Sequence, residues 1–203
     1  MFITFEGGDG SGKSTQITKL QNTLRKKGYD VLLTREPGGT LISEKIRQLI
    51  LDKNNREMMP VAEALLYAAA RAQLVSQVIR PALEEGRIVI CDRFLDSSTA
   101  YQGFGRQLGD AVNVINGFAI DGCMPDLTIF LKLDPEARRG RIGSREKDRI
   151  EMEPDAFHRR VAEGYRWLEE HYPERILAVD ASGSIEKIAA TIEKAVMERI
   201  HAL

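Results

Sequence analysis

Two cysteines, Cys91 and Cys123, are all that 203 residues contain. They form no C-x-x-C pair and no disulfide framework, and read as small buried residues in a reducing compartment. Histidine is also scarce. His158, His171 and His201 are scattered over charged segments of helical character, where a solvated surface role is favoured over metal ligation. An excess of one charge is missing as well, since 29 Lys and Arg face 30 Asp and Glu. Nothing global therefore points to a nucleic-acid or membrane partner, and any basic site must be local. No apolar run approaches membrane-spanning length, and the apolar N-terminus has neither a basic leader nor a small-residue cleavage site. These absences lead us to expect a cytoplasmic protein with no nucleic-acid and no membrane partner. There is no internal repeat or low-complexity tract. With 43% hydrophobic and 29% charged residues, residues 1–203 read as a single domain with room for a full core and a mobile insertion.

What is present begins at the N-terminus. Phe2 to Phe5 is a short run of aromatic and β-branched residues, the composition of a buried strand. Gly7-Gly8-Asp9-Gly10-Ser11-Gly12-Lys13-Ser14 then matches G-x-x-x-x-G-K-[ST], and Ile17, Leu20 and Leu24 follow at helical spacing. Strand, loop and helix in that order are the context a phosphate-binding loop requires. The curled backbone turns its N–H groups inward at a helix N-terminus, which makes an anion site. Lys13 supplies a positive charge for the β- and γ-phosphates, and the Ser14 hydroxyl is placed to ligate magnesium.

Four more strands are expected, at Asp30 to Thr34, Arg87 to Cys91, Leu127 to Leu133 and Arg175 to Val179, each bounded by helical patterns. A helix is expected from about Leu41 to Leu51, a long Ala-rich one from Pro60 to the Glu84-Glu85-Gly86 stop, and a last one from Ile185 to Ile200. Alternating strands and helices imply a five-stranded parallel sheet covered on both faces, a three-layer α/β architecture of the P-loop NTPase type. Asp92 and Arg93 fall at the carboxyl tip of the third strand, where an acidic residue can hold magnesium directly or through water. Arg35 falls at the tip of the second, the end where such sheets bind ligands. Between the fourth strand and the next long helix, Arg138 to Arg149 carries five arginines and a lysine among glycines. Phosphoryl transfer needs mobile positive charge, so we read about 138–150 as a lid whose arginines, among Arg141, Arg145 and Arg149, close over ATP.

No Asn-Lys-x-Asp guanine-reading motif occurs, which disfavours a common GTPase. A non-enzymatic nucleotide switch would not explain a second basic cluster of Arg35, Arg71 and Arg93. Two anion sites suggest a phosphorylated donor and a phosphorylated acceptor.

Phe5-Glu6-Gly7-Gly8-Asp9-Gly10-Ser11-Gly12-Lys13-Ser14-Thr15, Thr34-Arg35-Glu36-Pro37-Gly38-Gly39-Thr40, Leu65-Leu66-Tyr67-Ala68-Ala69-Ala70-Arg71, Asp92-Arg93-Phe94 with Ser97-Ser98-Thr99-Ala100-Tyr101-Gln102-Gly103, and Asp148-Arg149-Ile150-Glu151 resemble the thymidylate kinase (dTMP kinase) family in order and spacing, over essentially the whole chain. The resemblance implies transfer of phosphate from ATP to dTMP, giving dTDP for dTTP synthesis, with magnesium and in a homodimer. It implies that Gly7 to Thr15 bind ATP and that Asp9 faces the 3'-hydroxyl of dTMP. Arg35 and Arg93 would hold the acceptor phosphate, with Glu36 and Pro37 beside them. Tyr67, where phenylalanine is commoner, would stack on the base, and Arg71 would contact the thymine edge. Ser98 and Gln102 would line the pyrimidine, and Tyr101 would crowd the 2'-position. Lys13, Arg93, Arg145 and Arg149 are the catalytic candidates, and Ser14 and Asp92 the metal candidates. Gly10 stands where relatives of the eukaryotic type carry an arginine, so the basic residues lie in the lid, as in bacterial-type enzymes. The alternative is another P-loop nucleoside or nucleotide kinase. Because a nucleoside monophosphate is mostly dianionic at neutral pH, it needs no general base, and catalysis reduces to alignment and charge neutralisation. The apolar faces of the second and third helices are the expected dimer contact.

Overall fold

The computed structural model describes residues 1–134 and 148–202. Five strands, β1 Phe2–Glu6, β2 Val31–Arg35, β3 Ile88–Asp92, β4 Leu127–Lys132 and β5 Ile176–Asp180, form one parallel sheet in the order β2-β3-β1-β4-β5. The fold class is the one expected, and each strand lies within one residue of its expected bounds. Eight helices are described: α1 Lys13–Lys26, α2 Leu41–Leu51, α3 Pro60–Leu74, α4 Arg80–Glu84, α5 Leu95–Ser98, α6 Ala111–Ile120, α7 Asp155–His171 and α8 Ile185–His201. The Ala-rich helix does reach Glu84, but Val75–Ile79 is wound as a π-helix between α3 and α4, and a second π-helical stretch, Thr99–Gly105, continues α5.

The sheet is buried on both faces because its strands are apolar on both. On one side Ile3, Phe5, Ile90, Ile129 and Leu131 meet Ile17, Leu20 and Leu24 of α1 and Ile192 and Val196 of α8. On the other, Phe2, Val89 and Cys91 meet Leu74, Val75, Ile79 and Phe94. A third cluster joins α7, through Phe157, Val161, Tyr165 and Leu168, to Ala100 and Ile150. There α7 comes very close to the second π-helical stretch: a Cβ at Gly164 would sit 2.8 Å from the Ala100 Cα, so the approach needs glycine. Thr40 caps α2, its hydroxyl accepting from Ser43 N at 3.1 Å. The cap starts α2 right after the Arg35-to-Gly39 turn and fixes that turn at the mouth of the site.

Candidate active site

The carboxyl ends of β1, β2, β3 and β4 open on a cavity of about 1410 Å³. Its lining includes the phosphate-binding loop, Arg35 to Pro37, Tyr67, Arg71, Asp92, Arg93, Ser98, Tyr101 and Gln102. The sequence-derived candidates among the described residues thus converge on one space, apart from Arg149 and from Gly7 and Ser11, which lie within the loop behind its cavity-lining residues.

At one end, the loop between β1 and α1 passes under β4. Gly7 has φ 138°, and a Cβ there would lie 2.7 Å from the Leu131 carbonyl oxygen, so no other residue fits. Lys13 is the first residue of α1, and its ammonium folds back to donate to the Gly7 carbonyl at 2.8 Å and to Gly8 at 3.5 Å. Burial, then Arg93, pull its pKa down from 10.5 to about 8, against the pull of Asp92, Asp9 and Glu6. An anionic triphosphate would supply the counter-charge for this desolvated cation. Asp92 ends β3, and its Oδ1 is buried with no hydrogen-bond partner among the described residues. A buried carboxylate oxygen and an exposed Ser14 hydroxyl lining the same cavity suit a hard divalent cation. No group of three His, Cys, Asp or Glu that could cage a metal exists among the described residues; magnesium bridging phosphates needs only one or two protein oxygens.

Arg93 occupies the centre. Its backbone is left-handed at φ 68°, a conformation that costs a non-glycine residue about 1–2 kcal/mol. The next residues hold it there: Glu6, fully buried at the end of β1, accepts from Phe94 N at 2.9 Å, Ser97 N at 3.1 Å, Ser97 Oγ at 2.6 Å and Tyr165 Oη at 2.7 Å. Burial pushes the Glu6 carboxyl up, but four donors and the Arg93 guanidinium 4.0 Å away are arranged for the carboxylate. The guanidinium reaches Asp9 Oδ1, Ser97 Oγ and Tyr165 Oη at 3.3, 3.3 and 3.4 Å. These are long contacts, easily exchanged for a phosphate. Arg35 donates to both oxygens of Glu44, at 2.9 and 3.0 Å, and stays half-exposed at the rim.

Three residues of α3 spaced by four, Glu63, Tyr67 and Arg71, form a polar stripe on an otherwise Ala-rich helix. Tyr67 and Arg71 line the cavity. Arg71 is 1% exposed and already engaged: it donates to Glu36 Oε2 at 2.9 and 2.6 Å, to Ser98 Oγ at 2.9 Å, to the Phe94 carbonyl at 3.1 Å and to Asn116. It is therefore a structural ion pair as well as a binding candidate. Glu36 Oε1 is buried with no partner among the described residues; burial lifts the Glu36 carboxyl from 4.5 to about 7, with Arg71 opposing.

The lid needs correction at its C-terminal end. Residues 135–147, with Arg141 and Arg145, lie outside the described residues. Arg149 does not face the cavity: it is buried, donating to the Ile50 carbonyl at 2.8 Å and to Glu63 Oε2 at 2.7 Å, and Ile150 packs in the third core cluster. A guanidinium neutralised by a buried carboxylate is anchored, so Arg149 fits a positioning role better than a closing one. Sequence reading also missed Glu6, Glu63, Tyr165 and Arg47, whose Nη1 donates to the Pro37 carbonyl at 2.8 Å on the cavity wall. Only Glu63 left a signal, the spacing of four with Tyr67 and Arg71. His158, read as solvated, lines the cavity.

The family description "Thymidylate kinase" matches residues 5–192. The chain belongs to the thymidylate kinase family. It is 50% identical over 202 residues to a thymidylate kinase of an Exiguobacterium species, covering 98% of this chain and 95% of the relative. To one of a Geobacillus species it is 51% identical over 203 residues, covering 98% and 97%. Among solved structures, thymidylate kinase from Ehrlichia chaffeensis superposes with a TM-score of 0.78 at 32% identity, covering 97% of this chain and 98% of that one. Membership of the thymidylate kinase family accounts for both ends of the cavity, since a kinase acting on a nucleotide must hold two phosphorylated ligands.

Proposed function

We propose that this chain transfers the γ-phosphate of ATP to dTMP, giving ADP and dTDP. The observation that carries the reading is a single cleft with a phosphate-binding loop at one end and an arginine- and aromatic-lined pocket at the other, in a chain of this family. ATP would lie on residues 7–15, with Lys13 on its β- and γ-phosphates. A magnesium ion, held by Ser14 and by Asp92 directly or through water, would neutralise charge on the transferring group. The acceptor would take Arg35 and Arg93 for its phosphate, Asp9 for its 3'-hydroxyl, and Tyr67, Ser98, Tyr101 and Gln102 around base and sugar, with Arg71, Glu36 and Pro37 behind. Arg93 reaches toward both phosphate sites and is the described arginine best placed to follow charge during transfer. Arg141 and Arg145 would complete the site from the segment outside the described residues. Arg149 would only hold the base of that segment. A coupled assay over nucleoside and nucleotide acceptors tests the reading: dTMP should be the preferred acceptor, and preference for a nucleoside or a purine nucleotide would replace dTMP kinase by another kinase of this fold.

We propose a cytoplasmic location, in keeping with two free cysteines and no disulfide; no described helix is long and apolar enough to cross a membrane. We also propose a homodimer. Leu41, Ile42 and Leu49 on α2 and Val61 and Leu65 on α3 are each more than half exposed, an apolar area that a second copy would cover.

Two expected results concern the individual ligands. Tyr67→Ala should raise KM for dTMP about 5- to 150-fold, the equivalent of the roughly 1–3 kcal/mol of base stacking on an aromatic, and leave KM for ATP alone; an effect confined to ATP would misplace the acceptor. In the free enzyme Lys13 loses its proton near pH 8, and the cation is the form that binds phosphate. kcat/KM for ATP should therefore fall with rising pH, about tenfold per unit above 8, while kcat, measured with the triphosphate already raising that pKa, falls later. A flat kcat/KM profile to pH 10 would contradict this.

A further inference from the structure

Glu63 has no exposed surface, and its carboxylate gathers four N–H groups. Oε1 accepts from Gln102 Nε2 at 2.9 Å and Arg106 Nε at 3.1 Å; Oε2 accepts from Arg106 Nη2 at 2.8 Å and Arg149 Nη2 at 2.7 Å. Arg106 also pairs with Glu153 at 2.7 Å, so two carboxylates balance two guanidinium groups. Burial alone would raise the Glu63 carboxyl, but the bonds from Arg106 and Gln102 hold it below its ordinary value. Glu63 is an ionised acceptor at neutral pH.

A carboxylate can only accept. Gln102, itself 1% exposed, must therefore turn its NH₂ toward Glu63. Its two amide ends diverge from one carbon, so the end it can offer the cavity it lines is the carbonyl oxygen. We propose that Glu63 is a positioning residue that fixes the sense of the Gln102 amide, so that the acceptor pocket presents an oxygen and selects pyrimidines bearing an N–H at N3, thymine and uracil, over cytosine. Cytosine carries a lone pair at N3, and two acceptors would face each other there. The inference rests on the dTMP reading and adds to it the reason for the pyrimidine class.

The test is the ratio of kcat/KM for dTMP to that for dCMP. Glu63→Gln keeps the shape. Arg106 Nη2 and Arg149 Nη2 claim its remaining oxygen, its NH₂ faces Gln102 at the cost of the one bond from Arg106 Nε, and the Gln102 amide turns over to offer N–H to the cavity. The ratio should fall about tenfold or more, through KM for the nucleoside monophosphate, with KM for ATP unchanged. Gln102→Leu should lower the ratio likewise, and Glu63→Asp, which retains a carboxylate, should keep it even with a lower melting temperature. A folded Glu63→Gln enzyme with the wild-type ratio, a Gln102→Leu enzyme with the wild-type ratio, or a Glu63→Asp enzyme that loses it would each overturn the inference, and the last two apply even where Glu63→Gln does not fold. Wild-type protein that phosphorylates dTMP while the variants fail these expectations removes only the inference; wild-type protein inert toward dTMP removes the functional reading and the inference together.

Discussion

Replacing Lys13 by alanine is expected to slow phosphoryl transfer about a thousandfold and leave the fold standing. The ammonium contributes little to stability, because among the described residues it donates only to two loop carbonyls, Gly7 and Gly8, and its charge is desolvated by burial without a full counter-ion. With phosphate present the balance changes. At about 4 Å and an effective dielectric of about 20, one unit charge pair is worth roughly 4 kcal/mol, and each 1.36 kcal/mol of barrier is about tenfold in rate. Circular dichroism and thermal melting check the fold, and single-turnover measurement with saturating ATP checks the rate. A folded variant with near-normal turnover would separate this loop from the chemistry.

Arg71→Ala should act first on the folded state. The guanidinium is buried, and its removal strands Glu36, which is 5% exposed, with no cation beside it. Breaking a buried ion pair in this way costs about 3–5 kcal/mol. The loss depends on pH with a definite sign. The Glu36 pKa is already raised, to about 7 against 4.5, and without Arg71 it moves higher. A raised carboxyl pKa means that the folded state takes the proton more readily than the unfolded chain, so stability declines as pH climbs from about 4.5 through the folded pKa. The deficit of the variant relative to wild type is therefore smallest near pH 5 and largest above 7, which urea unfolding at pH 5 and pH 8 measures. A deficit under about 1 kcal/mol at pH 8 would contradict the burial argument. A rise in KM for dTMP is expected on top of it, since Ser98 and Glu36 lose the group that holds them.

The strands and α2 were legible because a buried parallel strand is a continuous apolar run and α2 carries a cap and a regular stripe. The phosphate-binding loop was legible because its glycines, lysine and hydroxyl act within eight consecutive residues. What stayed hidden depends on distant partners. Arg149 sits in a stretch rich in arginine and looks like its neighbours; the approach of Glu63, 86 residues earlier, and of the Ile50 carbonyl turns it inward. Glu6 appears in sequence as the end of a strand, and its four donors come from two segments more than 80 residues away. The π-helical winding of Val75–Ile79 and Thr99–Gly105 leaves no mark in the hydrophobic spacing. Arg71 was legible as a cation and, through the family resemblance, as a contact for the thymine edge, but not as the buried partner of Glu36: a guanidinium has five donors and here spends them on the fold.

The central claim is that one cleft holds ATP and dTMP together and moves a phosphate between them. The most direct measurement supplies ATP labelled at the γ-phosphate with an equal concentration of dTMP and follows where the label goes. Label is expected in dTDP, one equivalent per ADP formed, and almost none released when dTMP is left out. Label recovered as inorganic phosphate, at the same rate with and without dTMP and with dTMP unchanged, would contradict it and leave the cleft an ATPase site.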